Sequence, residues 1–178
     1  MAPPPPVGPF AGASSVAVEL GGPNRERGIK QVDHEDGRTA PAVAAGRPCR
    51  ESRPGVRGER YLYFQVDDSF KWARTIDLVA EVEYFDSDGH GGSFTVQYDS
   101  HDPSATLDGA YKDCAERISL AGTGTWKTAR FALHQARLEG SQNAGADFRI
   151  AVAAPEFRVG KVAVRRADGS GKKGILLR

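Results

Sequence analysis

The sequence predicts an all-β protein, an antiparallel β-sandwich, and three observations lead to this prediction. Apolar residues recur at every second position through most of the chain, which is the pattern of strands with one buried face. The chain holds 21 Gly and 11 Pro, enough for many tight turns. No long amphipathic helix is evident, and the nearest candidate, residues 107–120, is interrupted by Gly109. Short strands at this spacing indicate a sandwich rather than a parallel sheet with crossover helices.

Each predicted strand has one apolar face, and we expect these faces to form the core. Successive side chains of a strand point to opposite sides, so the apolar phase can be read directly from the sequence. The predicted core, from the N-terminus onward, is Leu62, Phe64, Val66, Leu78, Val82, Phe94, Val96, Phe131, Phe148, Ile150, Val162 and Val164. A strand is also expected at residues 16–20.

Turns and tails divide the chain into one domain and two flanking segments. Residues 86–92 are rich in Asp and Gly and are typical of a hairpin loop, and the Gly-rich residues 121–124 precede another alternating run. Residues 1–13 contain four successive prolines and read as a tail, as do residues 167–178. The predicted domain is therefore residues 14–166.

Composition and charge exclude several classes of function. The chain is 39% hydrophobic and 26% charged, with a formal net charge of +1. This balance favours neither nucleic acid nor a membrane surface as the main partner. No apolar run approaches the ~18 residues of a membrane span, and no basic segment followed by an apolar one is visible at the N-terminus as a signal peptide.

The two cysteines, Cys49 and Cys114, do not form a CxxC pair, so a zinc or redox motif is not predicted. A disulfide in a secreted protein and two buried thiols both remain open.

The sequence contains no recognisable catalytic constellation. There is no GxGxxG, phosphate-binding loop, HExxH or GxSxG motif. The four histidines, His34, His90, His101 and His134, stand far apart in the sequence. Glu81 and Glu83 share one strand face, and two carboxylates ~5–9 Å apart are what glycoside hydrolysis requires. A solvated outer face is the simpler interpretation, so we expect no enzyme activity.

Several segments, in their order and spacing, resemble the galactose-binding-domain-like jelly rolls that accompany bacterial glycoside hydrolases and polysaccharide lyases as carbohydrate-binding modules. They are YLYFQVDDSF (residues 61–70), VEYFD (82–86), FTVQYDS (94–100), GTWKTA (124–129) and GADFRI (145–150). The resemblance covers residues 14–166. It implies a jelly-roll fold, non-catalytic binding of a polysaccharide or oligosaccharide, an extracellular location and a carbohydrate-active enzyme domain as partner.

A second point of resemblance implies a structural Ca²⁺. Modules of this kind often carry Asp-Gly followed by Thr after the first strand, and here Asp33, Asp36 and Thr39 match that pattern. Ca²⁺ prefers several hard oxygen ligands at a sharp turn. The last strand, residues 162–166, lacks the acidic ligand that the superfamily often supplies, so a side-chain-capped turn without an ion remains the alternative.

A sugar site needs an exposed aromatic face for stacking and planar polar groups for hydrogen bonds. Tyr61, Tyr63 and Gln65 alternate with the apolar phase of their strand and are predicted to point away from the core. The candidate binding residues are Tyr61, Tyr63, Gln65, Glu81, Glu83, Gln97 and Arg149, with a second candidate at a loop rim formed by Trp72, His90 and Tyr111.

Three alternatives compete with this site. Tyr61 and Tyr63 could form a second hydrophobic layer under a covering loop such as residues 40–59. Tyr63, Gln97 and Arg149 could belong to a polysaccharide lyase, which needs a proton-transferring Tyr or His beside groups that neutralise a uronate. The domain could also be a structural module without a sugar site.

Overall fold

Almost all regular structure in the described part of the chain is β-strand. The computed structural model of the protein describes residues 7–71, 76–87 and 91–167. Its strands are β1 (Ser15–Glu19), β2 (Arg25–Arg27), β3 (Ile29–Val32), β4 (Arg38–Ala44), β5 (Arg47–Arg53), β6 (Arg60–Val66), β7 (Ile76–Asp86), β8 (Ser93–Tyr98), β9 (Lys112–Asp113), β10 (Ile118–Ser119), β11 (Thr125–Ala136), β12 (Phe148–Ala153) and β13 (Arg158–Arg166). Within the described ranges, the helical structure is one 3₁₀ turn at Asn143–Gly145, and no helix there is long and apolar enough to cross a membrane.

The strands form two antiparallel sheets. The first sheet has the order β11-β7-β13-β1-β2, and the β4–β5 hairpin joins it through β5 and β13. The second sheet has the order β10-β8-β12-β6-β3, with β9 beside β8. The inward faces of both sheets supply one hydrophobic cluster, as expected of two packed sheets. The predicted fold class, an antiparallel β-sandwich of the jelly-roll type, is confirmed.

The strand phase predicted from the alternation is correct throughout the core. Every residue of the predicted core is buried, with at most 3% of its surface exposed. In the second sheet, Phe64 and Phe148 stack with ring centroids 5.1 Å apart. Because these strands bury one phase, their other phase forms the outer faces of the sandwich.

Residues 38–53 differ from the sequence-based prediction. One alternative placed residues 40–59 in a loop covering Tyr61 and Tyr63, but residues 38–53 form the β4–β5 hairpin of the first sheet. The hairpin carries charged residues and two prolines, Pro41 and Pro48, and lacks the alternation that reveals a strand. Pro41 is tolerated because β4 is an edge strand, paired on one side only with β5.

The two cysteines are free and buried. Cys49 lies in β5 of the first sheet, whereas Cys114 follows β9 in the second sheet. Burial raises the pKa of both thiols. Of the two possibilities that the sequence left open, the structure contains the buried thiols.

Candidate functional site

A row of polar side chains crosses the outer face of the second sheet. The strand register places Tyr63 beside Arg149, Arg149 beside Gln97, and Gln97 beside Asp113. Arg149 Nη1 donates to the Tyr63 hydroxyl (2.8 Å), Arg149 Nε donates to Gln97 Oε1 (2.7 Å), and Gln97 Nε2 donates to Asp113 Oδ1 (2.8 Å). The Tyr63 hydroxyl in turn donates to Asp36 Oδ2 at 3.0 Å. The row therefore has a guanidinium in its middle and a carboxylate at each end.

Arg149 also packs against two tyrosine rings. Its Cζ atom lies 3.7 Å from the ring centroid of Tyr61 and 4.2 Å from that of Tyr111. Both distances are well within the range of cation–π attraction. Hydrogen bonds to Gln97 and Tyr63 fix the plane of the guanidinium, so Arg149 holds both rings in defined positions on this face.

Tyr63 has the predicted outward phase but is fully buried. It belongs to a small second cluster with Ala110, Tyr111 and Ala146. Gly37 packs so closely that a Cβ atom there would lie 2.4 Å from Tyr63 Cδ2. For Tyr63, the alternative of a second hydrophobic layer is thus correct, but the cover comes from Gly37 and residues 110–111 rather than from residues 40–59. Burial raises the pKa of Tyr63 to about 12, against the lowering effect of the nearby Arg149 charge.

Tyr61 remains partly exposed and lies beside an open groove. The groove has a volume of about 770 Å³ and is lined by residues 34–36, residues 56–59, Tyr61 and Asn143. Asn143 Nδ2 donates to the Tyr63 hydroxyl (3.2 Å), and its backbone N–H donates to the Tyr111 hydroxyl (2.9 Å). The groove therefore combines an aromatic ring with several hydrogen-bonding groups on walls that are tied to the sheet.

Gln65 lies on the same strand face but has a supporting position. Its Nε2 donates to the carbonyl of Ala144 at 2.8 Å, in the 3₁₀ turn that carries Asn143. The side chain borders a separate cavity of about 470 Å³ that is also lined by Lys30 and Asp67. Gln65 thus fastens the turn and does not line the groove beside Tyr61.

Glu81 and Glu83 do not lie beside Tyr61, and that expectation is wrong. Both belong to β7, which is in the first sheet, whereas Tyr61 is on β6 of the second sheet. Arg165 Nε lies 2.9 Å from Glu81 Oε1, and Arg47 Nη1 lies 3.1 Å from Glu83 Oε1. The alternation correctly placed both carboxylates on an outer face, but it carries no information on which sheet a strand joins. The ion pairs agree with the interpretation as a solvated surface.

Of the three residues predicted to form the loop rim, only Tyr111 lies in the part of the chain that the structure describes. Trp72 and His90 lie outside the described residues. Tyr111 is 9% exposed and stacks on Arg149, so it belongs to the same face as Tyr61.

The residues expected to bind Ca²⁺ are engaged with protein donors. Asp33 Oδ1 accepts hydrogen bonds from Thr39 Oγ1 (2.9 Å) and Gln31 Nε2 (2.8 Å). Asp36 contacts His34 Nδ1 (3.0 Å) and the Tyr63 hydroxyl. In the described ranges, no group of three or more His, Cys, Asp or Glu side chains is arranged to hold a metal ion. This arrangement fits the capped-turn alternative better than a bound ion, and Ca²⁺ stays a prediction.

Sequence reasoning missed the loop residues of the groove. Asn143, Glu59 and Arg57 lie in segments without periodicity, so no strand pattern marked them. Asp36 was identified only as a possible metal ligand, although its partner on this face is Tyr63.

No protein-family model and no curated protein matches the chain. Among solved structures, it is similar to a family 29 carbohydrate-binding module from Piromyces equi, with 10% identity, a TM-score of 0.45, and coverage of 88% of this chain and 95% of that one. It is also similar to the C-terminal family 6 carbohydrate-binding module of the laminarinase LamC from Zobellia galactanivorans, with 10% identity, a TM-score of 0.44, and coverage of 85% and 99%. A third is the K1 cleaved adhesin domain of Lys-gingipain from Porphyromonas gingivalis, with 12% identity, a TM-score of 0.42, and coverage of 86% and 96%. At these identities and TM-scores, the similarities carry no argument about what the chain binds.

Proposed function

We propose that the chain is a non-catalytic module that binds a polysaccharide in the groove beside Tyr61. The observation that carries this proposal is the partly exposed Tyr61 ring, fixed by Arg149 at the edge of a polar groove. A sugar offers C–H patches for an aromatic ring and hydroxyl groups for polar side chains. Asp36 and Asn143 supply such polar groups on the groove wall.

The rigidity of this face supports the proposal. Tyr61 stacks on a guanidinium that is itself fixed by Gln97 and Tyr63, so little side-chain freedom remains to be lost on binding. Preorganisation of this kind lowers the entropic cost of association. A small site in an open groove nevertheless buries little apolar area, so we expect affinities in the micromolar to millimolar range, about −4 to −8 kcal/mol.

The lyase alternative is disfavoured by the state of Tyr63. Its hydroxyl is buried, donates to Asp36, and has a pKa raised to about 12 by burial, so it is a poor proton acceptor near neutral pH. Arg149 is held by Gln97 and Tyr63 and stacks against Tyr61 and Tyr111. We therefore expect no unsaturated product, measured by ultraviolet absorbance, when the protein is mixed with uronate polymers.

The proposal carries two further expectations. A carbohydrate-binding module of this type serves a carbohydrate-active enzyme domain by bringing it to its polymer, and it acts where polysaccharides occur, outside the cell. Both the enzyme partner and the extracellular location are parts of the proposal.

The test is a glycan array followed by affinity gel electrophoresis on the polymers that bind. Tyr61→Ala is expected to weaken binding at least about tenfold, because a buried aromatic contact contributes about 1.5–3 kcal/mol. The matched control is Trp126→Ala. Trp126 is a partly buried ring of the first sheet that also packs under an arginine, with Arg47 Cζ 4.5 Å from the ring centroid. Thermal melting of both variants checks that they are folded.

The outcomes separate the alternatives. Loss of binding in Tyr61→Ala with retention in Trp126→Ala supports the groove. Undiminished binding by Tyr61→Ala contradicts the site, and the absence of binding by the unaltered protein to any glycan supports a structural module instead. Substituting Tyr61 and Tyr63 together is not a clean test, because Tyr63 is part of the buried second cluster.

A further inference from the structure

The groove beside Tyr61 is rich in carboxylates. Glu35, Asp36 and Glu59 all line it, and Arg57 is the single arginine or lysine among its described lining residues. Asp36 is contacted by His34 and by the Tyr63 hydroxyl, whereas Glu59 accepts a hydrogen bond from the backbone N–H of Arg57 (2.8 Å). Glu35 is exposed to solvent. Three carboxylates against one guanidinium give the groove an excess of negative charge.

Arg149 does not offset this excess for a ligand. Its guanidinium lies between the Tyr61 and Tyr111 rings and donates to Gln97 and to Tyr63. Asp113, which is not among the groove residues, supplies a further carboxylate at the end of the row opposite Asp36. The positive charge is thus shared within the protein, and Arg149 is not among the residues that line the groove.

We infer that the groove selects an uncharged polysaccharide and rejects polymers that carry uronate or sulfate groups. This inference rests on the proposed function and specifies the class of ligand. Carboxylate oxygens accept hydrogen bonds from sugar hydroxyls, whereas they repel an anionic substituent. In water, a like charge about 4 Å away disfavours an ion about fivefold, so two or three groove carboxylates disfavour an anionic sugar tenfold or more.

The experiment compares polymers that differ only in charge. An array carries neutral polysaccharides beside derivatives of the same polymers in which the primary hydroxyls are oxidised to carboxylates, and acidic polysaccharides beside their carboxyl-reduced forms. We expect the uncharged member of any bound pair to bind at least about tenfold more tightly. Equal or tighter binding of the charged member overturns the inference but leaves polysaccharide binding intact. Binding to no member of any pair overturns the proposed function and the inference with it.

Ionic strength gives an independent readout. Salt screens charge interactions between exposed groups, with a Debye length of about 10 Å at 0.1 M and about 3 Å at 1 M. Binding of the neutral polymer is therefore expected to change little with salt, and residual binding of its oxidised form is expected to strengthen. If binding of the oxidised form weakens as salt is added, the groove attracts anions and the inference is wrong.

A charge reversal at Glu35 tests whether the groove carboxylates cause the selectivity against charged polymers. Glu35→Lys is expected to raise the affinity for the oxidised polymer, relative to that for its neutral parent, about fivefold or more. Glu26→Lys is the matched control, because it changes the net charge equally at an exposed position of β2 in the first sheet. An equal gain in both variants would assign the effect to net charge and contradict a role for the groove, as would no gain in Glu35→Lys.

Discussion

The Tyr63 hydroxyl joins three parts of the chain that are distant in sequence. It accepts hydrogen bonds from Arg149 Nη1 and Asn143 Nδ2 and donates to Asp36 Oδ2. Arg149 belongs to β12, Asn143 to the 3₁₀ turn and Asp36 to the segment before β4. Because the ring is buried, water cannot replace these partners without movement of the covering segments. Tyr63 thus positions groove walls that it does not itself expose to a ligand.

The raised pKa of Tyr63 predicts a loss of stability in alkali. Burial lifts this pKa from 10.0 to about 12, so the folded state holds the phenolic proton more tightly than the unfolded state. The stabilisation is complete below about pH 10 and is lost as the pH rises from about 10 towards 12. Urea unfolding across this range should show a smaller decline in the free energy of unfolding for Tyr63→Phe.

The alkaline decline should not vanish in Tyr63→Phe, because burial also raises the pKa of Tyr84 and Tyr98. Tyr61→Phe, at a partly exposed ring, serves as the control. An unchanged alkaline slope in Tyr63→Phe would contradict the burial of its hydroxyl.

For single residues, the sequence predicted which face of a strand a side chain occupies better than it predicted how far that side chain is buried. The alternation in β6 placed Tyr61 and Tyr63 on the same outer face. Gln97 and Arg149, which were predicted to join them, do lie beside them, but this follows from the strand pairing and not from the alternation. The alternation could not distinguish an exposed ring from a covered one, because the cover of Tyr63 comes from Gly37 and residues 110–111. Those segments reach Tyr63 only through the fold of the whole chain.

At the scale of elements, β6, β8 and β12 serve the core and the outer face simultaneously. Their inward phase includes Phe64, Val96 and Phe148, while their outward phase carries the polar row. A shift of one residue in the pairing of β12 would exchange the two faces. The buried phase therefore fixes the position of Arg149 as firmly as its own hydrogen bonds do.

The strand phase predicts the cost of truncating a core residue. Phe148 is fully buried and stacks on Phe64, so Phe148→Ala is expected to lower the free energy of unfolding by about 3–5 kcal/mol in urea denaturation. Val43→Ala, at a side chain that is 67% exposed, should change it by no more than about 0.5 kcal/mol. A cost below about 1 kcal/mol for Phe148→Ala would show that β12 does not bury this face.

The periodicity of apolar residues identified the long strands but not the strands with which they pair. Glu81 and Glu83 were assigned to an outer face correctly and to the wrong sheet, since pairing partners depend on topology. The β4–β5 hairpin was missed because its charged residues and prolines obscure the alternation. Such a hairpin forms through pairing with its neighbours rather than through an apolar face of its own.

At the scale of the whole molecule, segments from distant parts of the chain meet over one sheet. Residues 34–36, residues 56–59 and Asn143 line the groove, and residues 110–111 lie beside Tyr63. No local pattern links these segments, so the groove could not be predicted from the sequence. The sequence predicted only the outer sheet face over which these segments lie.

Treatment with a chelator tests whether a bound Ca²⁺ stabilises the fold. Asp33 and Asp36 accept hydrogen bonds from protein donors, and a capped turn without an ion predicts that a chelator leaves the melting temperature unchanged. An ion held by these carboxylates would stabilise the native state by mass action, and its removal would lower the melting temperature. In that case Asp36→Ala should abolish the sensitivity, and the calcium prediction would be upheld against the capped turn.

The position of β13 determines when the first sheet can be completed during synthesis. This strand, the last along the described chain, pairs with β1, β5 and β7, and its register joins Ser15 to Arg165 across about 150 residues. Until it leaves the ribosome, the three earlier strands have open edges that can pair with other chains. Contacts of such high sequence separation also slow folding. The first sheet can therefore be completed only once residues 158–166 have emerged from the ribosome, and until then the open edges of β1, β5 and β7 expose the nascent chain to aggregation.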